Sequence, residues 1–176
     1  TLLQEARAFS DTAIISISRF SGEGWDRSSV EFNGEYNPWP HETSMPQISA
    51  VIFPDGDFYL TENEKKLIAA VTASFPKVIV VLNVGGIVDT RWIKEDASVS
   101  AALLAWQGGM EGGLATANIL FGRVNPSGKL PDTFAGLVTD YPSTEHFHDD
   151  PYYVEYTEDI FVGYRYFETL PGQKAA

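Results

Sequence analysis

The sequence predicts an α/β fold in which a mostly parallel β-sheet is sandwiched between helices. Two observations predict it. Strand-like apolar runs alternate with helix-like segments along the chain, and one run, Lys77 to Val84 (KVIVVLNV), is almost wholly apolar and β-branched. Such a run is typical of a strand that is covered on both faces of a parallel sheet. The alternation favours right-handed βαβ units and hence a doubly wound domain.

The first two elements are predicted to be a helix and a strand. A β-rich run from Thr12 to Ser18 (TAIISIS) forms the strand. The segment before it, residues 1–9, has the apolar spacing of a helix. The residues on the apolar face of this helix are Leu2, Leu3, Ala6 and Phe9.

A capping box predicts the start of the second helix. Thr61 and Glu64 provide the T-x-x-E pattern, and Pro76 ends the helix before the central strand begins. The apolar residues predicted to lie together on one side of this helix are Leu67, Ile68 and Val71.

Three further segments complete the predicted order of elements. Ala101 to Trp106 is a third apolar run, Met110 to Phe121 is a helix, and another strand is expected near Lys129 to Phe134. Two stretches are predicted to be loops, residues 28–56 and 138–153. A doubly wound domain normally has five or six strands, so we expect the chain to be an incomplete domain that was cut from a longer protein.

The composition excludes several classes of function. With 24 acidic against 12 basic residues the net charge is −12, which would repel nucleic acids and anionic membranes. There is no cysteine, and no apolar run reaches the roughly 18 residues of a spanning helix. We therefore expect no nucleic-acid partner, no membrane partner, no cofactor and no metal. The cellular compartment stays open.

The candidate site is expected at the carboxyl ends of the strands, where open parallel sheets bind ligands. The loop after the first strand reads RFSGEGWDR and places Glu23 between two glycines. The loop after the third apolar run reads QGGMEGG and offers Glu111. Glu111 is predicted in the first turn of a helix, where the helix dipole favours the ionised carboxylate and makes it the poorer proton donor.

Glu23 has the setting of a general acid. Cleavage of a glycosidic bond needs one protonated carboxyl group and a second one that attacks the sugar or activates water. Trp25 is placed to provide an apolar wall, which would raise the pKa of the Glu23 carboxyl. The alternative is that Glu23 is a solvated surface residue between two glycines.

Six segments, in the same order, resemble the second domain of family-three β-glucosidases. They are SGEGWDR (Ser21 to Arg27), DFYLTENEKKLI (Asp57 to Ile68), VIVVLNVGGIVD (Val78 to Asp89), LLAWQGGMEGG (Leu103 to Gly113), ILFGRVNPSGKLPDTF (Ile119 to Phe134) and YTEDIFVGYRYFET (Tyr156 to Thr169). The resemblance implies that residues 1–176 are one α/β sandwich domain of that family.

The resemblance also implies roles for the residues of the first segment. In that family the glutamate of the S-G-E-G loop is the general acid/base, which corresponds to Glu23, and Asp26 and Arg27 belong to the same motif. Arg27 could instead lower the pKa of Glu23. The residues expected to shape the loop are Ser21, Gly22, Gly24, Asp26 and Arg27.

The family's nucleophile is an aspartate on a separate (β/α)8 barrel domain. No segment here resembles that barrel, so we assign no nucleophile to this chain. The resemblance therefore implies that the barrel domain of the same enzyme is the partner, that a β-linked oligosaccharide is the substrate, and that this chain alone is inactive.

The sequence departs from the family between Arg27 and Asp57, where residues 28–56 form a longer connection than expected. Aromatic residues of this insertion could stack on sugar rings, and Trp39 joins Trp25 as a candidate substrate contact. The alternative is a surface flap whose aromatic residues fill its own contacts. The aromatic residues of the insertion are Phe32, Tyr36, Trp39 and Phe53.

The sequence thus predicts the acid/base domain of a retaining, exo-acting β-glucosidase. The alternative is a non-catalytic carbohydrate-binding or supporting domain of a β-xylosidase or β-N-acetylglucosaminidase. A nucleotide-binding module is not favoured, because Gly85-Gly86 lacks the G-x-G-x-x-G pattern and Pro131 follows the phosphate-loop-like run. The run from His146 to Asp150 favours a solvated acidic loop over a metal site.

Overall fold

The computed structural model describes residues 1–21, 52–146, 152–153 and 155–169. In these ranges the helices are α1 (Leu2–Phe9), α2 (Glu62–Thr72), α3 (Arg91–Glu95), α4 (Gly112–Leu120) and α5 (Tyr164–Thr169), and the strands are β1 (Thr12–Arg19), β2 (Lys77–Val84) and β3 (Val99–Leu104). Two short 3-10 helices cover Val138–Asp140 and Pro142–His146.

The three strands form one parallel sheet in the order β1-β2-β3. β1 and β2 pair without interruption from Thr12 opposite Lys77 to Arg19 opposite Val84. The pairing of β2 with β3 shifts between Val78 and Ile79. Because all three strands run the same way, the residues that follow Arg19, Val84 and Leu104 lie along one edge of the sheet.

The main core lies against the central strand β2. Val78, Val80 and Val84 are fully buried, and Val81 on the other face of the strand is also buried. The pattern of β1 is simpler, since its residues alternate between buried and exposed. The buried residues of this core are Ile15, Ile17, Ile68, Phe75, Val78, Val80, Leu82, Val84, Val88 and Phe134.

The capping box predicted at the start of the second helix is present in α2. The Thr61 side chain accepts a hydrogen bond from the Glu64 backbone, and the Glu64 side chain accepts one from the Thr61 backbone. Ile68 is buried and Val71 packs against the core, but Leu67 is half exposed. The predicted apolar side of this helix is therefore wrong by one residue.

α1 covers the predicted residues, but its apolar face is mostly exposed. Ala6 packs against the main core, whereas Leu2 and Phe9 are 82% and 92% exposed. A capping box between Thr1 and Gln4 starts this helix.

Several predicted bounds and elements differ from the structure. β1 extends one residue beyond Ser18, β3 begins and ends two residues before the predicted run, and α4 begins two residues later than predicted. The strand expected near Lys129 to Phe134 is wrong, because only the single residue Ala135 makes a β-bridge there. Pro131, which lacks a backbone N–H, lies in the middle of that segment.

Residues 138–146 are also more ordered than predicted. They form the two 3-10 helices, and Tyr141 lies in a smaller core with Phe58, Ala135 and Phe167. The fold class is nonetheless confirmed as an α/β fold with a parallel sheet and helices. Among the described residues, no helix is both long enough and apolar enough to cross a membrane.

Candidate functional site

The carboxyl ends of the three strands meet at one cluster of loop residues. Ser21 follows β1, Gly85 follows β2 and Gln107 follows β3. The Ser21 hydroxyl donates a hydrogen bond to the Gly85 carbonyl oxygen at 3.3 Å, and the Gln107 side-chain amide donates one to the Ser21 carbonyl oxygen at 3.0 Å. We call these three residues the edge cluster. It fixes the backbone position from which the S-G-E-G loop continues.

Gly85 is the point of closest approach in the edge cluster. A Cβ atom at this position would overlap the Ser21 Oγ and would lie 2.9 Å from the Gln107 Nε2. Real Cβ atoms essentially never come this close to other heavy atoms, so any larger residue would displace Ser21 or Gln107. A side chain at this position would therefore disturb the edge cluster by moving the ends of the Ser21 and Gln107 side chains.

Trp106 sets the direction of Gln107. Its φ of 56° lies in the left-handed region, which non-glycine residues rarely adopt. The Ala105 N–H still donates to the Leu82 carbonyl oxygen at 2.9 Å, so the turn away from the sheet begins at Trp106. The Trp106 ring also lies 6.5 Å from the Phe134 ring. These contacts hold a strained backbone position immediately before Gln107.

Arg19, the last residue of β1, is a buried arginine with all five N–H groups bonded. Its Nε donates to the Asp57 carbonyl oxygen at 2.7 Å, and its Nη atoms donate to the carbonyl oxygens of Ser18 and Tyr59 at 2.8 and 2.9 Å. The remaining two donors bind the Glu64 carboxylate at 2.7 and 2.9 Å. Arg19 thereby joins the end of β1 to residues 57–59 and to the start of α2.

Glu64 serves two partners at once. One of its oxygens accepts from the Thr61 N–H at 2.8 Å in the capping box, and both oxygens accept from Arg19. Burial alone would raise the pKa of the Glu64 carboxyl, but the hydrogen bonds from Arg19 and Thr61 and the positive charge of Arg19 outweigh it and lower the pKa. The ionised carboxylate is the form that this arrangement stabilises.

A second arginine pair lies in the loop after β2. Asp89 accepts two hydrogen bonds from the Arg91 guanidinium at 2.9 and 2.8 Å and one from the Arg91 backbone N–H at 3.0 Å. Its own N–H donates to the Phe58 carbonyl oxygen at 2.9 Å. The hydrogen bonds that Arg91 donates to Asp89 raise the pKa of Arg91, so its guanidinium remains protonated.

Ser21 is the one predicted site residue that lies within the described ranges. The proposed acid/base, Glu23, lies outside them, as do the other residues predicted for its loop and for substrate contact: Gly22, Gly24, Trp25, Asp26, Arg27 and Trp39. Phe53 of the insertion is described, and the Arg19 guanidinium lies 4.5 Å above its ring. This one aromatic residue therefore fills a contact of its own domain, as the flap interpretation expects.

Glu111, the other Gly-flanked glutamate, is the residue that precedes α4 and is exposed. Its side chain makes no capping hydrogen bond to α4. Among the described residues, no group of three His, Asp or Glu side chains is placed to hold a metal ion, and of the predicted acidic histidine run only His146 is described.

Sequence reasoning missed the roles of Arg19 and Gln107. A signal for Arg19 was available, because it continues the buried alternation of Ile15 and Ile17 along β1. A charged residue at a buried strand position requires a partner. Gln107 gave a weaker signal, since its neighbours in QGGMEGG directed attention to Glu111.

Comparison with known proteins identifies a consistent set of relatives. Residues 3–164 match the family described as the Glycosyl hydrolase family 3 C-terminal domain. The chain is 58% identical over 173 residues to Beta-glucosidase A of Butyrivibrio fibrisolvens, which covers 98% of this chain and 21% of that protein. It is 41% identical over 170 residues to a Beta-glucosidase of Ruminococcus albus, which covers 97% of this chain and 15% of that protein.

Solved structures give the same result. The beta-glucosidase of Paenibacillus barengoltzii superposes with a TM-score of 0.78 at 37% identity, covering 99% of this chain and 16% of that one. Beta-glucosidase 3B from Thermotoga neapolitana, in complex with glucose, gives a TM-score of 0.75 at 38% identity and covers 99% of this chain and 22% of that one. The chain thus spans between 15% and 22% of the length of these four relatives.

Proposed function

Because the chain belongs to the glycosyl hydrolase family 3 C-terminal domain family, we propose that it supplies the general acid/base, Glu23, to a retaining β-glucosidase. The enzyme would be exo-acting and would release terminal β-D-glucosyl residues from oligosaccharides. The names of the relatives support glucosidase activity, since each of the four compared above is called a beta-glucosidase.

The edge cluster is the observation that carries this proposal. Ser21 is held at the carboxyl edge of the sheet by contacts to the loops after β2 and β3. Glu23 follows Ser21 by two residues in the sequence. This is the edge at which parallel α/β sheets bind ligands.

The chemistry assigns Glu23 two steps. Its protonated carboxyl would give a proton to the leaving-group oxygen while a nucleophile attacks the sugar, and its carboxylate would then accept a proton from the water that hydrolyses the glycosyl-enzyme. In a retaining enzyme the two carboxyl groups are about 5 Å apart. We propose that the nucleophile comes from the barrel domain of the same enzyme, which would be the partner of this chain.

The insertion, residues 28–56, has a proposed role at the outer sugar subsites. Trp25 before it and Trp39 within it are the proposed substrate contacts. Phe53 is not included, because its ring is engaged by Arg19.

The test is a Glu23→Ala substitution in the complete enzyme. General acid catalysis contributes about 10²-fold to 10⁴-fold to rate, so turnover of alkyl and phenyl glucosides, which have poor leaving groups, should fall by that factor. A dinitrophenyl glucoside needs little protonation to depart, so its first step should be much less affected. Added azide should restore turnover of this substrate and give the β-glucosyl azide.

Glu111→Ala is the matched control, since Glu111 is also a glutamate within a glycine-rich run. Its side chain is exposed and makes no capping hydrogen bond to α4. It should leave all substrates within about twofold of the parent enzyme. An equal loss on poor and activated leaving groups in Glu23→Ala, without rescue by azide, would assign Glu23 a structural role and favour the supporting-domain alternative.

A further inference from the structure

We propose that Gln107 is a positioning residue for the acid/base loop and acts on Glu23 through the Ser21 backbone. The proposal rests on the proposed function of Glu23. Its basis is the edge cluster, in which the Gln107 amide reaches from the end of β3, past Gly85, to the Ser21 carbonyl oxygen. Gln107 and Ser21 are 86 residues apart in sequence, so this contact joins the first and third loops of the edge.

The backbone is arranged to make this contact. The left-handed φ of 56° at Trp106 is costly for a non-glycine residue, at about 1–3 kcal/mol for such positions, and persists only when surrounding contacts enforce it. Here the hydrogen bond from the Ala105 N–H to Leu82 and the packing of Trp106 against Phe134 enforce it. The strain at Trp106 has the effect of directing the next side chain toward Ser21.

Gly85 leaves the space in which Gln107 reaches Ser21. Gly85 is the one member of the edge cluster with no side chain, and a Cβ atom there would collide with both of the others. The Ser21 hydroxyl bonds to the Gly85 carbonyl while the Ser21 carbonyl accepts from Gln107, so Ser21 is held from both neighbouring loops. Two hydrogen bonds therefore fix the backbone two residues before the proposed acid/base.

Stability does not account for this contact. Gln107 is exposed, and a hydrogen bond that water can replace contributes little to folding. Its position matters instead, because a displacement of about 1 Å at a reacting group can cost as much as 10²-fold in rate. An exposed side chain that holds a catalytic loop can therefore be removed without unfolding the protein.

The experiment uses Gln107→Met in the complete enzyme, since methionine has the same length but no N–H donor. Loss of one neutral hydrogen bond corresponds to a loss of about 2-fold to 10-fold. We expect kcat/KM for glucosides with poor leaving groups to fall by about that factor. We expect no change in kcat/KM for the dinitrophenyl glucoside, in the inhibition constant of glucose or in the thermal midpoint.

A double-mutant cycle separates this inference from the proposed function. If Gln107 acts through Glu23, Gln107→Met should have no further effect on the azide-rescued turnover of the Glu23→Ala enzyme. Additive losses in that background, or weaker glucose inhibition, would overturn the positioning role and indicate direct substrate contact. Absence of leaving-group dependence in Glu23→Ala alone would instead overturn the proposed function and this inference with it.

Gly85→Ala and Gly109→Ala provide a second, matched pair. A Cβ at Gly85 meets Ser21 and Gln107, whereas a Cβ at Gly109 has no heavy atom within 4 Å. Gly85→Ala should reproduce the leaving-group-dependent loss of Gln107→Met and exceed it, and Gly109→Ala should leave the kinetics unchanged. Equal kinetics for the two alanine variants would overturn the proposal.

Discussion

Two bidentate arginine–carboxylate pairs lie at the ends of the first two strands, one at the last residue of β1 and one in the loop after β2, and they differ in burial and in sequence separation. Arg19 and Glu64 are 45 residues apart, and their side chains are 1% and 21% exposed. Arg91 and Asp89 are two residues apart, with side chains 39% and 13% exposed. The first pair joins distant parts of the fold, and the second organises one turn.

The difference shows which feature of an ion pair matters for this domain. The pair between Arg19 and Glu64 links the end of β1 to the start of α2. Three of the five hydrogen bonds of Arg19 go to backbone carbonyl oxygens. Breaking a buried pair leaves an uncompensated charge, whereas an exposed pair is screened by water. Replacing Arg19, which lies beside the proposed catalytic loop, should therefore destabilise the domain more than replacing Arg91.

Arg19→Met is the strongest test of this comparison. It leaves Glu64 without its cation and removes the hydrogen bonds that Arg19 donates to the carbonyl oxygens of Asp57 and Tyr59, so we expect a loss of about 3–5 kcal/mol in stability. The matched variant Arg91→Met should cost less, about 1 kcal/mol, because the Arg91 side chain is 39% exposed and water can replace its contacts. Native-state hydrogen exchange would measure the first loss locally at the β1 and α2 amides and the second at the α3 amides. Similar losses for the two variants would show that burial does not distinguish the pairs.

Glu64→Gln tests the charge alone, because glutamine retains the length and can still complete the capping box. Hydrogen bonds to charged groups are worth about 1.5–3 kcal/mol, and we expect a loss in this range at pH 7. The folded-state pKa of Glu64 is lowered from its ordinary value of 4.5. Burial raises this pKa, but the hydrogen bonds from Arg19 and Thr61 and the charge of Arg19 together lower it by more. Its contribution is therefore complete above pH 4.5 and is lost as the pH falls through the lower, folded-state pKa.

The measurement is the stability difference between the parent protein and Glu64→Gln as a function of pH. The difference should be constant from pH 7 to about pH 5 and should shrink on further acidification, because the parent then also carries an uncharged side chain. Glu62→Gln is the control, since Glu62 is 71% exposed and its partner Lys65 is 53% exposed. It should show no measurable difference at any pH. A Glu64→Gln difference that grows as the pH falls would contradict the lowered pKa.

The contrast between the two pairs also explains what the sequence could predict. β2 was predicted with its observed bounds, because a continuous apolar and β-branched run is read without knowledge of tertiary contacts. The capping box identified Glu64 for the same reason, as both of its partners there are local. The second partner, Arg19, could not be found from periodicity, because 45 residues separate the two.

At the candidate site, too, the sequence predicted features set by local residues and missed contacts between distant ones. The order of the strands predicted that the loops after them share one edge of the sheet, and Ser21, Gly85 and Gln107 are in contact there. The contact from Gln107 depends on the left-handed backbone at Trp106, and nothing in the run LLAWQGG predicts that conformation for a tryptophan. The strand expected near Lys129 to Phe134 is absent, and Pro131 in the middle of that segment lacks the backbone N–H that a strand ladder needs.

Asp89 gives the smallest and most discriminating effect, because its side chain has two functions that different substitutions separate. Its Oδ1 accepts from the Arg91 backbone N–H at 3.0 Å, which forms the turn, and both oxygens accept from the guanidinium. Asn retains an oxygen for the turn and loses the charge, so Asp89→Asn should cost less than about 0.5 kcal/mol. Asp89→Ala removes the turn as well and should cost about 1 kcal/mol. Urea unfolding of the two variants measures the difference. If Asp89→Asn is as costly as Asp89→Ala, the ion pair rather than the turn stabilises this loop, and the exposed arginine pair would resemble the buried one more closely than their burial implies.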